Sequence, residues 1–488
     1  MRTTILGVAV LTRLRVKGFK SLADVEVMFG PFTCIAGANG AGKSNLFDAI
    51  MFLRDLADHT IIEAAHRVRD RSGSRRGDLQ SLFSKTAKNT ASNIFFEVDL
   101  VVPNIVTDDF GRKTKPSSSF LTYSIELKYV SGSNASEKIE LVSEDLTYIP
   151  VGVARRRIGF RTSKVFAESV FFGARRAKYI STEMEDGKST IKISQDGVQG
   201  RPSQVPAEHS PRTVLGSANT DERPTVLAAR REMQSWKLLQ LEPSRLRSPD
   251  EFSDDPHITF DGAHIPSTLE RLKNYEEISA RVSDLLPEVS RISVDVDHSR
   301  RLKTLVLEQR NGVIHQARAL SDGTLRFLAL ATMAFDPEAT GLMCLEEPEN
   351  GIHPSRIPAI LDLLKAMAVN PADTVDGSNP VRQIVVNTHS PIVVRKLAPD
   401  DLLVAVPIRQ GGAYFTAFGA IANSWRIEHI DRSPLRTPVV TLAELLDYLN
   451  TSESSDATQT EGISTLWQLA AQQGILEFGG NHNAKGEH

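Results

Sequence analysis

Cysteine is nearly absent, with two in 488 residues. Cys34 and Cys344 each lie inside an apolar, strand-like run, so they read as small buried hydrophobes and not as a disulfide or a metal pair. Long apolar runs are missing too, since no stretch approaches the roughly 18 residues of a membrane span. The N-terminal "ILGVAVL" has no Ala-x-Ala-like cleavage site and runs straight into "LTRLRVKGF", so a first strand and a cytoplasmic protein without membrane contact are expected. There is no excess of charge of one sign. Lys plus Arg total 57 against 60 for Asp plus Glu, a net charge of −3, so any contact with nucleic acid must come from a local patch. What is plentiful is apolar side chain, 41% of the chain, enough for a large core divided into two or three lobes.

The most informative stretch is "FTCIAGANGAGKSNLFDAI", residues 32 to 50. Residues 32 to 36 read as a buried strand. From Lys43 onward, Leu46, Ile50, Leu53 and Leu56 recur at helical spacing. Between them, Gly37, Ala38, Asn39, Gly40, Ala41 and Gly42 form a loop with almost no side chains, followed by Lys43, Ser44 and Asn45. Glycines let successive backbone N–H groups converge on an anion, and the helix adds its positive end, so Gly-x4-Gly-Lys-Ser is a phosphate loop. Lys43 is expected to neutralise the β- and γ-phosphates and Ser44 to offer its hydroxyl to Mg²⁺.

Residues 11 to 38 alternate like two strands feeding this loop. Residues 64 to 78 read as an exposed, arginine-rich loop, and 91 to 150 as an antiparallel sheet whose linker "TDDFGRKTKPSSS" is expected to be mobile. The chain is divided into an N-terminal lobe at 1–150, an insertion at 151–264, a C-terminal lobe at 265–405 and an extension at 406–488. The insertion carries two basic clusters, Arg155, Arg156, Arg157, Arg161 and Lys164, then Arg175, Arg176 and Lys178. A solvated surface is the first reading of these clusters, and nucleic acid or an acidic partner the sharper one. A flexible loop is expected over 197–225, a hairpin turning at Asn311-Gly312, and a short amphipathic helix at 463–475.

Three segments accompany the phosphate loop. "GLMCLEEPENGIHP" is a short strand ending in Glu346 and Glu347, which would place one carboxylate near Mg²⁺ and the next near an attacking water. "ALSDGTLRFLALATMAF" opens with the turn Ser321-Asp322-Gly323 ahead of an apolar helix, a second anion-suited helix start. "QIVVNTHSPIVV" is a buried strand ending near His389.

In this order the motifs resemble the ABC-type ATPase heads of the RecF/SMC class, and more closely the prokaryotic AAA-family ATPases related to the overcoming-lysogenization-defect (OLD) proteins. The resemblance covers about 11–60 and 265–400. It implies an α/β fold: an ABC-type head with a mixed sheet, an antiparallel β subdomain and an insertion between its two halves. It assigns ATP binding to Gly37 through Asn45, the signature role to Ser321, Asp322 and Gly323, Mg²⁺ to Ser44 and Glu346, the general base to Glu347 and the switch to His389. Glu346 stands where transporter-type relatives have Asp, and Asp322 where they have a second Gly. For the glutamine that joins Mg²⁺ to the second lobe, the candidate is Gln80.

The resemblance further implies ATP sandwiched between two copies, hence a homodimer or higher oligomer, and a separately encoded effector controlled in antiphage defence. The Toprim nuclease of OLD proteins needs a Glu and a later Asp-x-Asp, and none follows His389; Asp295-Val296-Asp297 has the spacing but lies in an alternating strand and is expected to face solvent. A RecF/SMC-like DNA-binding repair ATPase is the alternative, although no heptad run joins the halves.

Overall fold

The computed structural model describes residues 10–68, 79–86, 88–131, 137–174, 177–185, 187–197, 202–410, 412–432 and 439–454. Two large sheets organise them. The first has seven strands in the order Lys237–Leu239, Gly341–Glu346, Arg382–Thr388, Phe32–Ala36, Leu402–Gln410, Ala413–Ile421 and Val439–Val440. Its first five strands run parallel, and Leu402–Gln410 pairs antiparallel with Ala413–Ile421. The register pairs Glu346 with Asn387 and Thr388 with Ala36. The acid strand, the histidine strand and the phosphate-loop strand therefore end at one edge, where an open parallel sheet presents its loops to ligand. Phe32–Ala36 and Arg382–Thr388 are buried along their whole length, as runs covered on both faces must be.

The second sheet has eight antiparallel strands, from Ser203–Pro206 at one edge to Leu22–Met28 at the other, with Val10–Phe19 between Leu22–Met28 and Asn93–Val101. Alternating burial along Phe120–Ser131 and Glu137–Tyr148 marks one covered face. Buried Arg13 holds three strands in register through Glu26 at 2.7 Å and Glu97 at 2.6 Å. Gln383 stitches the sheets together: its side-chain amide bonds both backbone groups of Leu11 and the carbonyl of Gly30. A smaller sheet, formed by Asp250–Glu251, Leu302–Gln309, Val289–Asp297 and Ile314–Gln316, precedes the signature turn, and its Gln309 N–H bonds the Val313 carbonyl around the expected Asn311-Gly312 turn. Asp295 is exposed on it, as its alternation indicates.

Several segments expected to be loose are packed. Residues 61–67 form a helix closed by a Thr60/Glu63 capping box, so the exposed loop expected from 64 is helical at its start. In the linker expected to be mobile, the buried Asp108 carboxylate accepts from the N–H groups of Phe110 and Arg112, and Tyr179 bonds buried Ser118 at 2.8 Å. Of the segment 197–225, residues 198–201 lie outside the described residues, and the part that follows is held by fully buried Glu144, which accepts from Val214 N at 2.7 Å and Leu215 N at 2.8 Å, while Thr213 bonds the carbonyl of Leu56. Polar composition signals loops but is silent on a distant carboxylate that needs donors. Nor does 151–264 stand apart: Ile180–Glu185, Lys188–Ile193 and Ser203–Pro206 extend the eight-stranded sheet, Lys237–Leu239 joins the seven-stranded one and Asp250–Glu251 the small one. Arg175, Arg176 and the helix expected at 463–475 lie outside the described residues. Both cysteines are buried, and among the described residues no helix is long and apolar enough to cross a membrane.

Candidate functional site

The phosphate loop closes on the helix Lys43–Leu56, whose N-cap is Gly42 at φ 91° with no side-chain cap and no acid in the first turn. A Cβ at Gly42 would lie 1.8 Å from Thr416 Oγ1, and one at Gly37 2.6 Å from the carbonyl of Ala405, so both positions admit only glycine. Thr416 and Ser21 share a 2.6 Å hydrogen bond, and Asn45 Nδ2 donates to Ser21 Oγ at 2.6 Å. The Asn45 side chain thus braces the loop from behind. Lys43 is buried, with Nζ donating to the carbonyls of Gly37 at 2.6 Å and Ala38 at 2.9 Å. Burial pulls its pKa down to about 8, against the opposing pull of Glu347, Glu349 and Glu346.

Asn39, Gly40, Ala41, Gly42, Lys43, Ser44, Glu346, Glu347 and Asn387 line one cavity of about 240 Å³. Glu347 sits in the left-handed region at φ 46°, uncommon for a residue with a side chain. Its N–H donates to the backbone and side-chain oxygens of Asn387, at 3.1 and 3.0 Å. Its carboxylate meets His389 Nδ1 at 2.7 Å through Oε1 and accepts from Asn350 at 2.6 Å through Oε2. The acid expected as base and the histidine expected as switch are therefore in contact.

Glu349 is a member of this centre that the sequence reading missed. It is buried, accepts from the Thr388 hydroxyl through Oε1 and leaves Oε2 without a hydrogen-bond partner; burial raises its pKa. The same Thr388 hydroxyl accepts from Ser390 N at 2.9 Å, so Glu349 is linked through one side chain to the backbone just after His389. Gln80 lies in the turn Leu79–Leu82 and does not line the cavity. Gln240, immediately after the edge strand Lys237–Leu239, lines a neighbouring cleft with Glu346 and Glu347 and is the glutamine that the fold carries to the acids. Nothing local to Gln240 could have shown this, because its edge-strand neighbour lies about 100 positions away in the chain.

Ser321 caps the helix Asp322–Phe335 by accepting from Thr324 N at 3.2 Å. Arg247 pairs with Asp322 and also bonds the carbonyl of Leu320. A Cβ at Gly323 would lie 3.0 Å from the carbonyl of Gly351, so the turn abuts the loop after the acids. Ser321, Asp322 and Gly323 do not line the chain's own phosphate-loop cavity. Elsewhere, Asp250, Asp254 and His264 cluster closely, but His264 bonds Asp250 at 3.1 Å and Asp250 caps Ser267 N at 2.8 Å, an arrangement explained by its own hydrogen bonds.

Residues 212–395 match the family described as "AAA domain, putative AbiEii toxin, Type IV TA system", and residues 10–100 the RecF/RecN/SMC N-terminal domain. An OLD nuclease of Thermus scotoductus is 50% identical over 40 residues, 8% of each chain. The DNA repair protein RecN of Xylella fastidiosa is 35% identical over 83 residues, 17% of this chain and 14% of that protein, so the matches span small parts of both relatives. Among solved structures, an SMC head bound to the C-terminal winged-helix domain of ScpA covers 84% of this chain and 97% of its own at 14% identity and a TM-score of 0.43. The SMC head domain of Thermotoga maritima covers 86% of this chain and 98% of its own at 13% identity and a TM-score of 0.36. Along the chain, the RecF/RecN/SMC match takes in the phosphate loop and the AAA-domain match takes in the signature turn, both acids and His389, so over these stretches the chain is similar to those two families.

Proposed function

We propose that this protein binds ATP with Mg²⁺ at the phosphate loop and hydrolyses it with Glu347 as general base. The observation that supports this most is the single cavity lined by the phosphate loop and both acids, with the Glu347 carboxylate held between His389 and Asn350. The residues fit a phosphate chain and its metal. Gly37 and Gly42 let the loop lie close against Ala405 and Thr416, Lys43 carries a cation into a buried site, and Ser44 and Glu346 offer the oxygens a hard divalent ion takes. Bound there, Mg²⁺ would neutralise charge on the phosphate oxygens. The protein's own part is positional. Lys43 compensates phosphate charge, Glu347 accepts a proton from water, and His389 and Asn350 fix the direction in which that carboxylate points. Lys43→Ala should abolish nucleotide binding. Glu347→Gln should retain binding and lose turnover, because an amide cannot take the proton; wild-type turnover in that variant would remove Glu347 from the base role.

We extend this to assembly. Ser321 is exposed and outside its own chain's cavity, the disposition expected if it completes the site of a second copy. ATP would then join two chains and hydrolysis would part them, a switch fit to control a separate effector in antiphage defence. The effector role is supported by the likeness to OLD-type proteins, and pull-down with and without ATP tests it: an ATP-dependent protein partner supports it, whereas DNA recovered instead favours the repair-type reading.

A further inference from the structure

The last helix among the described residues, Leu442–Ser454, reaches the phosphate loop. Its start is fixed by a reciprocal cap, in which Thr441 N–H donates to Glu444 and Glu444 N–H donates to Thr441. One face, Leu445, Tyr448 and Leu449, is buried in the core that also holds Ala36 and Ala38. The helix packs against Pro391–Val394, the short turn that begins two residues after His389. At 3% exposure, the Tyr448 hydroxyl accepts a hydrogen bond from the N–H of Ala38 at 3.3 Å. Ala38 is one of the two residues whose carbonyls hold the Lys43 ammonium, and the other, Gly37, donates its N–H to the Thr388 carbonyl.

Both backbone groups of Ala38 are thus engaged, the N–H by Tyr448 and the carbonyl by Lys43. Without the phenol that N–H would be buried and unpaired, and the Gly37–Ala38 peptide, whose other end is the Gly37 carbonyl that Lys43 holds at 2.6 Å, would lose its anchor on the N–H side. We propose that Tyr448 is a positioning residue of the nucleotide site, setting the phosphate loop so that Lys43 meets phosphate. Burial pushes the phenol up to about 12, so it stays a neutral hydroxyl across the working range of pH.

This rests on the reading of the loop as an ATP site, and the test separates the two. MgATP affinity, turnover and hydrogen exchange at the Ala38 amide are measured for wild type, Tyr448→Phe and Leu445→Val. Tyr448→Phe keeps the ring and should weaken MgATP binding about 5- to 10-fold with turnover at saturating ATP nearly unchanged, and should speed exchange at Ala38 even without nucleotide. Leu445→Val loosens the same helix but leaves the Tyr448 hydroxyl on the Ala38 N–H, so it should lower the melting temperature yet leave affinity within about twofold. Wild-type affinity and Ala38 exchange in Tyr448→Phe would overturn the proposal, as would an equal loss of affinity in Leu445→Val. A wild-type protein that binds no MgATP would instead overturn the ATP-site reading, while the exchange measurement still decides whether Tyr448 holds the loop.

Discussion

Lys43 is a cation placed where burial makes charge costly, and that cost can be read in protons. Free, its pKa is lowered to about 8, and bound phosphate should raise it again. Binding at pH 8 should therefore take up about half a proton, and binding at pH 6 almost none. Affinity should fall as pH rises through 8, because more of the free protein must first be protonated. For stability, a lysine pKa depressed in the fold means that the unfolded chain holds more protons between about 8 and 10.5, so the burden of this buried ammonium eases as pH rises through that window. Calorimetry in two buffers of different ionisation enthalpy checks the uptake, and buffer-independent heats at pH 8 would refute it. At this scale the sequence was legible where the chemistry is local. Glycine spacing, the Lys-Ser pair and the paired acids announce themselves within a dozen positions. Gln240, Glu349 and Tyr448 do not, since each acquires meaning from a residue that only the sheet brings near.

Among the elements, the turn into the helix Lys43–Leu56 is the least tolerant. Gly42→Ala would combine a φ of 91° with a Cβ 1.8 Å from Thr416 Oγ1. It should displace the Ser21–Thr416 bond and abolish nucleotide binding while the rest of the core stays folded, and nucleotide titration followed by circular dichroism separates these outcomes. The helices Val151–Arg157 and Lys164–Val170 pack through Ala154, Ile158, Phe166 and Val170 on a core that also holds Val10, Val101, Phe120 and Val381. Part of the charge read from the sequence is absorbed there, since Arg157 pairs with buried Asp99 at 2.6 Å and Lys178 with Asp145 at 2.7 Å. Arg155, Arg156 and Arg161 stay exposed. Replacing these three with Glu should leave MgATP turnover within about twofold, because none lines the cavity; if the face binds DNA, the same change should remove a retention that weakens steeply with salt. Sequence reading found the strands and the signature helix by their periods, but took polar stretches for loops where buried Glu144 and Asp108 had recruited their backbone.

Across the whole molecule, the seven-stranded sheet carries the phosphate loop and both acids, while the signature turn follows a separate small sheet, and that separation has a consequence for mixtures. Suppose two chains each lend the other a signature turn. Lys43→Ala and Ser321→Arg are then each inactive alone, for different reasons. When they pair, one site collects both lesions and the other collects neither. If chains exchange freely, about half the dimers are mixed and each has one sound site, so blending two dead proteins in equal amounts should return about a quarter of wild-type turnover. A mixture as inert as its components would mean that each chain works with its own signature turn, or with none.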